Sequence, residues 1–285
     1  MSALSYLELT KPRLLPLVLF SGLPALVLAS GGWPSLQSAA LVLFGTALAA
    51  GSANTLNSYL ERERDARMQR TATRPLPAGR LDAGRALAFG LALAILGPGL
   101  LWAAAGAPAA AVALAGILFY VFVYTLWLKP RTPAAVIVGG VAGAVAPLIA
   151  DAAFDGHMGA AGWWLFAIVF VWQPPHVWAI VLHRREEYAA AGFPVMPNVS
   201  GEASTRRQML AWAIALAAVT MIPWAAGVLG GTYAIAALAG GALLAGRIVS
   251  AMRAPSRAAD RRVFVASLVH LAAVFGAMTV ELALR

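Results

Sequence analysis

The sequence predicts an all-α, polytopic membrane protein: a bundle of nine transmembrane helices with a cytoplasmic N-terminus. Hydrophobic residues make up 61% of the 285 positions and charged residues only 12%, too few to cover the aqueous surface of a soluble protein of this length. The apolar residues form long continuous runs, and each run approaches the length of about 20 residues that a bilayer span needs. Positive charges lie in every second connection between the runs, and therefore on one side of the membrane, which gives the predicted orientation.

The nine runs are continuous rather than alternating in polarity, so they predict helices and not the strands of a barrel. Their approximate limits are 14–30, 36–58, 86–104, 108–128, 134–151, 163–183, 208–229, 232–250 and 263–284. We expect a single transmembrane domain over residues 1–285. The adjacent prolines Pro174 and Pro175 are expected to bend or break the sixth span.

The basic residues support both the span count and the orientation. With the N-terminus inside, the inner segments and their flanking span ends hold 20 of the 21 Lys and Arg residues, and only Arg285 falls outside. The formal charge of +9 therefore reflects membrane topology, and we expect no nucleic-acid partner. The absence of cysteine excludes disulfides, thiolate metal sites and a cysteine nucleophile.

The first long inner loop, 59–85, follows a row of polar residues. Asn57, Glu61 and Asp65 recur every four positions and so share one helix face. Their amide and carboxylate oxygens suit Mg²⁺, which completes its shell with water and substrate phosphate. Basic side chains nearby suit a diphosphate, and they are Arg62, Arg67, Arg70 and Arg74. The competing interpretation is a solvated helix end with Glu–Arg pairs.

The second long inner loop, 184–207, follows another polar row. His176, His183, Arg184 and Glu187 fall on one side of a helix, with the imidazole deepest and the carboxylate nearest the surface. Taken singly, His176 is better interpreted as a hydrogen-bonded histidine of the core, and Glu187 as a charged residue of a loop. Together with the acidic row on span two, they favour a site on the cytoplasmic face.

Between these rows, Lys129 and Arg131 stand at the inner end of span four. They are either topological charges in a turn or further groups that hold an anion. Two acidic groups and one basic group describe a pocket for a metal-bridged diphosphate that opens toward an apolar interior. A substrate with a diphosphate head and a long lipid tail fits this pocket. Mg²⁺ and basic side chains would stabilise the departing diphosphate, while a dry helix bundle shields the allylic cation.

Several blocks resemble the intramembrane aromatic prenyltransferase superfamily, and within it the protoheme IX farnesyltransferases (heme O synthases). The most specific blocks are Trp172-Gln173-Pro174-Pro175-His176-Val177-Trp178 and residues 187–197, which begin Glu187-Tyr188. Further matches lie in residues 9–13, 57–71, 124–133 and 139–144. The resemblance covers nearly the whole chain.

The resemblance implies Mg²⁺-assisted transfer of a farnesyl group from farnesyl diphosphate to a vinyl group of heme b, which gives heme O. By resemblance, the first metal–diphosphate motif is Asn57, Glu61 and Asp65, the diphosphate-binding positions are Lys129 and Arg131, and the second site, for heme contact or metal, is His176, Arg184, Glu187 and Tyr188. The implied location is the prokaryotic plasma (inner) membrane. Implied partners are heme b, farnesyl diphosphate, the lipid bilayer, and heme A synthase or terminal-oxidase assembly factors.

The chain departs from the family pattern at several positions. Glu61, Glu63 and Glu187 stand where the family usually has Asp, and Ala134-Ala135 and Ala146-Pro147 also differ. One alternative is the same chemistry on a quinone precursor or another aromatic, against which the lack of a second Asp-x-x-x-Asp motif argues. Another is a transporter or a non-catalytic heme-handling protein. A transporter is expected to show paired broken helices in an internal repeat.

Overall fold

The structure is a computed structural model that describes residues 3–284, and within this range the chain is helical with no strand. The helices in chain order are α1 (Ala3–Leu9), α2 (Leu15–Ala29), α3 (Leu36–Leu60), α4 (Arg62–Asp65), α5 (Ala83–Ala105), α6 (Ala107–Leu118), a π-helix (Phe119–Leu128), α7 (Ala135–Gly143), α8 (Val145–Asp155), α9 (Ala160–His183), α10 (Arg185–Ala190), α11 (Met196–Ser200), α12 (Glu202–Thr220), α13 (Ile222–Ala225), α14 (Gly231–Arg253) and α15 (Arg257–Ala283).

Eight helical stretches of the described chain are long and apolar enough to cross a membrane. They are Leu36–Leu60, Ala83–Ala105, Ala107–Leu128, Ala135–Asp155, Ala160–His183, Glu202–Ala225, Gly231–Arg253 and Arg257–Ala283. The shorter apolar helix α2 has 15 residues and corresponds to the first predicted span. The all-α polytopic fold is therefore confirmed, and the predicted count of nine is close. The cytoplasmic position of the N-terminus stays a prediction.

The expected break at Pro174 and Pro175 is wrong, because α9 continues through both prolines to His183. Membrane helices tolerate such residues where neighbouring helices compensate the lost backbone hydrogen bonds. The interruption lies instead in the fifth span, where α7 and α8 meet at Ala144. Pro147 follows in the first turn of α8, where a missing backbone N–H leaves no helical bond unmade.

Small residues allow the helices to approach closely around one core. A Cβ atom on Gly97 of α5 would lie 2.7 Å from the backbone nitrogen of Ala49 of α3, so only glycine fits this crossing. A single cluster of buried apolar residues extends from Ala25 to Leu282. This shared core holds α3, α9 and α15 in the positions from which they line the features described below.

Candidate active site

The polar row at the end of α3 is buried. Asn57, Glu61 and Asp65 expose 2%, 6% and 5% of their surfaces. Backbone hydrogen bonds continue the helical path through α4, since Glu61 N donates to Asn57 O (2.9 Å) and Asp65 N to Glu61 O (2.8 Å). The three side chains therefore share one face, and that face points into the protein. A solvated helix end does not describe this arrangement.

Each carboxylate in the row forms an ion pair with a base from another segment. Lys129 Nζ lies 2.5 and 2.6 Å from the two carboxylate oxygens of Glu61. Arg74 donates to Asp65 Oδ2 at 2.7 Å. Buried carboxylates are found with such partners because an uncompensated charge away from water is very costly. Lys129, predicted as a diphosphate-binding residue, thus lies in the site next to Glu61.

Lys11 is a further member of the cluster that sequence reasoning did not select. Its Nζ donates to Asn57 Oδ1 at 2.9 Å, across 46 positions of sequence. Among the described residues it is the one non-glycine with a positive φ, of 55°. A residue before proline avoids helical conformations, so this backbone is held by its surroundings, as is common at functional sites. The signal available in the sequence was a lysine before Pro12, just ahead of the first span.

The charges of the cluster influence one another strongly. Burial alone would raise the pKa of Glu61, but Lys129 and Lys11 hold it below its ordinary value. Burial would likewise lower the pKa of Lys129, but Glu61 raises it above its ordinary value. Burial, with the charge of Arg74, lowers the pKa of Lys11 to about 7. Glu61 and Lys129 therefore stabilise each other's charged forms.

The π-helix Phe119–Leu128 supplies aromatic groups beside this cluster. Tyr120 and Tyr124 stack with ring centroids 5.1 Å apart. Thr125 Oγ1 donates to Tyr120 O at 2.9 Å and accepts from Asn57 Nδ2 at 3.2 Å. A Cβ atom on Gly139 would collide with the Tyr124 ring, so this glycine makes room for it. π-Helical turns are rare and frequently mark functional sites.

A cavity of about 340 Å³ lies inside the bundle, and Tyr124 connects it to the cluster because its ring lies 5.7 Å from Lys129 Nζ. Asn54, Tyr120 and Tyr124 line its polar end. On each helix, the lining residue farthest from the polar end marks the floor of the cavity. These residues are Thr46 of α3, Ala113 of α6 and Ile149 of α8. One turn further along each helix stand Val42, Ala109 and Ala152, all buried in the core. The cavity is therefore a mainly apolar chamber, and the tyrosines at its polar end lie beside the charged cluster.

The second predicted loop packs onto the first. The ring centroid of Phe193 lies 4.9 Å from Lys129 Nζ and 5.0 Å from the guanidinium carbon of Arg64. It also contacts Tyr188 edge to face and shares a small core with Met68. Tyr188 is near enough to Lys129 to contribute to its raised pKa. The segment that contains Glu187 and Tyr188 thus packs against residues that neighbour the acidic row.

Glu187 has unused binding capacity. Its Oε1 accepts from Arg184 at 3.3 Å, while its buried Oε2 has no hydrogen-bond partner among the described residues. Buried polar atoms are rarely left unpaired, and an exception calls for an explanation such as a missing ion or water.

Other predicted site residues lie elsewhere. His176 Nδ1 pairs with Ser267 Oγ of α15 at 2.8 Å, and its ring stacks on Trp172. By contrast, Gln173 and Val177 of the same helix line the cavity. Arg62 and Arg131 donate to backbone carbonyls, and Arg70 is exposed with no partner among the described residues. The structure therefore does not bring these four residues into the cluster.

The donor set fits a divalent cation. Oxygens of Asn57, Glu61 and Asp65 are the hard ligands that Mg²⁺ prefers, and each already contacts a basic nitrogen. Positive charge therefore occupies the positions that a metal ion would use. Within residues 3–284, no three His, Asp or Glu side chains converge as a finished metal cage. Metal binding by this row requires substrate oxygens or water to complete the shell.

Comparison with known proteins gives consistent results. The family model described as the UbiA prenyltransferase family matches residues 18–274. Protoheme IX farnesyltransferase of Methylobacterium radiotolerans is 41% identical over 282 residues, which cover 97% of this chain and 88% of that protein. The enzyme of the same name from Thermus thermophilus is 41% identical over 97% of this chain, but this chain spans only 45% of its length.

Two solved structures have a similar fold. One, from work on digeranylgeranylglyceryl phosphate synthase in membranes, has a TM-score of 0.81 and 18% identity, and the alignment covers 99% of this chain and 98% of that one. The other is a UbiA homolog from Archaeoglobus fulgidus bound to DMAPP and Mg²⁺, with a TM-score of 0.62 and 16% identity over 97% and 99% of the chains. At these identities the likeness concerns the fold alone.

Proposed function

The chain belongs to the UbiA prenyltransferase family, and from this premise we propose that it transfers a farnesyl group from farnesyl diphosphate to a vinyl group of heme b, making heme O. The observation that carries the proposal is a cluster of buried acids and bases beside Tyr120 and Tyr124, which line an apolar cavity; the cluster consists of Asn57, Glu61, Asp65, Lys11, Arg74 and Lys129. Relatives that bear the name protoheme IX farnesyltransferase and are 41–42% identical support the choice of substrates.

The cluster is suited to a diphosphate because its basic groups outnumber its acids. Lys11, Arg74 and Lys129 face two carboxylates, which leaves one basic group in excess. When the diphosphate enters, the ammonium and guanidinium groups can transfer from carboxylate to phosphate oxygens, which have similar geometry. Arg62, Arg70, Arg131 and Arg184, predicted substrate-binding residues, would then act at the rim of the entrance.

Asn57, Glu61 and Asp65 would hold Mg²⁺ once the basic groups have moved to phosphate, and Glu187 would add a ligand from the opposite loop. The ion would supply charge neutralisation on the departing diphosphate. Glu61 and Glu187 reach further than the aspartates usual at these positions, so the opposite loop does not need to approach as closely. Tyr188 would contact the same substrate from beside Lys129.

The depth of the cavity matches the proposed donor. Thr46 lies eleven residues before Asn57 on α3, which is about 16 Å along the helix axis. An extended farnesyl chain of twelve main-chain carbons spans roughly 13 Å at a little over 1 Å per bond. The floor at Thr46, Ala113 and Ile149 therefore leaves room for this chain and little beyond it.

The reaction balances with one water molecule. The bond between farnesyl C1 and oxygen breaks, and its electron pair leaves with the diphosphate. Farnesyl C1 then bonds to one vinyl carbon, water supplies a hydroxyl to the other, and one proton is released. The electron-rich faces of Tyr120 and Tyr124 lie at the cavity wall, where they can stabilise the allylic cation. The buried apolar residues beyond the floor would keep water from the chain end.

The protein is a multi-pass membrane protein, and we place it in a prokaryotic plasma (inner) membrane as one domain over residues 1–285. Heme b and farnesyl diphosphate both partition into membranes, which suits an entrance at one end of the bundle. Heme A synthase or terminal-oxidase assembly factors would receive the product.

The test is product formation by the purified chain in lipid nanodiscs. Supplied with farnesyl diphosphate, Mg²⁺ and heme b, it should yield a farnesylated, hydroxylated heme by mass spectrometry. A parallel reaction with quinone precursors tests the alternative acceptor. A folded protein that makes no farnesyl heme but prenylates another aromatic would overturn the proposed acceptor, and one that prenylates nothing would overturn the proposed activity.

A further inference from the structure

A second concave feature lies between α14 and α15, away from the acidic cluster. It is a groove of about 520 Å³ near the end of α9. Basic side chains form its rim, and these are His183, Arg247, Arg257, Arg261 and Arg262. Apolar side chains form its floor, and these are Leu243, Val265, Ala266 and Val269. The proposed function assigns no role to this groove.

The arginines of the rim are unusual because they lack acidic partners. Arg247, Arg261 and Arg262 form no ion pair or hydrogen bond with any residue in 3–284. Nearby Arg206, by contrast, is buried in a two-bond pair with Asp260, at 3.1 and 2.9 Å. Arg257 pairs with Glu186, but both side chains are about two-thirds exposed. The rim therefore carries a concentrated and largely uncompensated positive charge.

The floor faces outward from the bundle. Leu243, Val265 and Val269 expose 37%, 48% and 46% of their surfaces, although they belong to membrane-spanning helices. In a bilayer these side chains contact acyl chains. The groove therefore has an apolar floor and a cationic rim. These match the tail and the headgroup of an anionic lipid.

The groove is separate from the prenyl cavity. Gln173 and Val177 of α9 line the cavity, whereas His176 of the same helix contacts α15. His183 stands two turns after His176 and lines the groove, and its buried Nδ1 has no partner within the described chain. The face of α9 that meets the groove is rotated by about 100° from the face that lines the cavity, and the two sets of lining residues share no member. This separation favours a lipid over the heme acceptor as the occupant.

We propose that the α14–α15 groove binds an anionic phospholipid, with the phosphate held by Arg247, Arg261 and Arg262 and the acyl chains on Leu243, Val265 and Val269. His183 and Arg257 complete the rim. Basic pockets between helices at the membrane surface are suited to such headgroups, because the phosphate gains several charge-assisted hydrogen bonds at once. The bound lipid offsets part of the positive charge of the rim and contacts both α14 and α15.

Native mass spectrometry of the full chain tests the proposal, with phosphatidylglycerol and phosphatidylcholine of identical acyl chains as probes. The wild type should retain phosphatidylglycerol in preference to phosphatidylcholine. The double variant Arg261→Gln/Arg262→Gln should lose roughly 30-fold in affinity for phosphatidylglycerol, at about fivefold for each basic side chain near a membrane surface. Phosphatidylcholine binding should not change. The matched control is Arg253→Gln, at the exposed end of α14 and outside the groove.

A charge-preserving variant and a competition with inorganic phosphate separate the contribution of charge from that of the acyl chains. Arg261→Lys/Arg262→Lys retains the charge, so its affinity for phosphatidylglycerol should stay within a few-fold of wild type. This variant tests the role of the charge even if the glutamine variant does not fold. Inorganic phosphate should not displace the bound lipid, because it lacks the acyl chains. Equal lipid affinity in the wild type and the glutamine variant would overturn the proposal. Displacement of the lipid by heme b, with heme binding lost in the glutamine variant, would also overturn it and assign the groove to a porphyrin.

Discussion

The ends of α3 and α9 carry similar polar residues but place them in different surroundings. At the end of α3, Asn57, Glu61 and Asp65 all face inward. Asn57 and Glu61 meet lysines from distant parts of the chain, and Asp65 meets Arg74 of the same loop. At the end of α9 the polar row divides, because His176 meets α15 while Glu187 lies in the loop beyond. A shared helix face therefore indicates a site only when the neighbouring elements bring complementary groups to it.

The largest effect is expected at the α3 end. Glu61→Gln and Asp65→Asn each replace a carboxylate ligand with a weaker amide and remove a negative charge, and each should reduce farnesyl transfer about 10²–10³-fold. Initial rates in nanodiscs, with thermal unfolding to verify folding, measure this. Glu63→Gln is the matched control, since its side chain is 81% exposed, and it should stay near wild type. Full activity in either site variant would show that the α3 row does not bind the metal.

The next largest effect concerns the depth of the cavity beside α3, which Ala113 of α6 limits. Ala113→Leu narrows the floor, so the ratio of farnesyl to geranyl transfer should move toward geranyl by about tenfold to a hundredfold. Competition between the two diphosphates, followed by mass spectrometry, gives the ratio. Ala115→Leu lies on the exposed side of α6 and should leave it unchanged. An unaltered ratio in Ala113→Leu would mean that the chain lies elsewhere.

The α9 side is expected to contribute through Glu187. Glu187→Gln should reduce the rate roughly tenfold and raise the Mg²⁺ concentration needed for half-maximal rate, because it replaces a carboxylate ligand of the second loop with a neutral amide. A Mg²⁺ titration of the rate measures both quantities. Glu186→Gln, an exposed neighbour paired with Arg257, should not alter them. If the two variants behave alike, the free oxygen of Glu187 has no part in metal binding.

The smallest effect on rate is expected at His176. Its hydrogen bond to Ser267 and its stacking on Trp172 lie inside the bundle, so His176→Gln should lower the melting temperature while the rate changes by less than about threefold. Ser267→Ala removes the same hydrogen bond from the other side and should match it. A hundredfold lower rate with an unchanged melting temperature would instead support a place for His176 in the second site, as the resemblance implied.

The spans could be predicted because hydrophobicity is a local property. Each predicted run lies within a few residues of a helix or of two joined helices, such as 36–58 against Leu36–Leu60. The continuity of α9 through Pro174 and Pro175 was not predicted, since it depends on surrounding helices rather than on the prolines themselves.

The site was predictable where its residues follow one another on a single helix. The spacing of Asn57, Glu61 and Asp65 is enough to put them on one face. Lys11 was not selected, because its contact with Asn57 joins residues 46 positions apart. The same limit applies to His176. A helical projection relates residues on one helix, but it does not tell which neighbour, the cavity or α15, that face will meet.

The pairing of Glu61 with Lys129 has a consequence for protein design. With no ligand present, the two side chains act as each other's counter-ion, so the site needs no external charge to stay buried. Changes at the two positions should therefore not be additive: a variant that loses both partners can be more stable than either single variant. Anyone who grafts this site onto another helix bundle must transfer the acid and the lysine together, as one unit drawn from two distant parts of the chain.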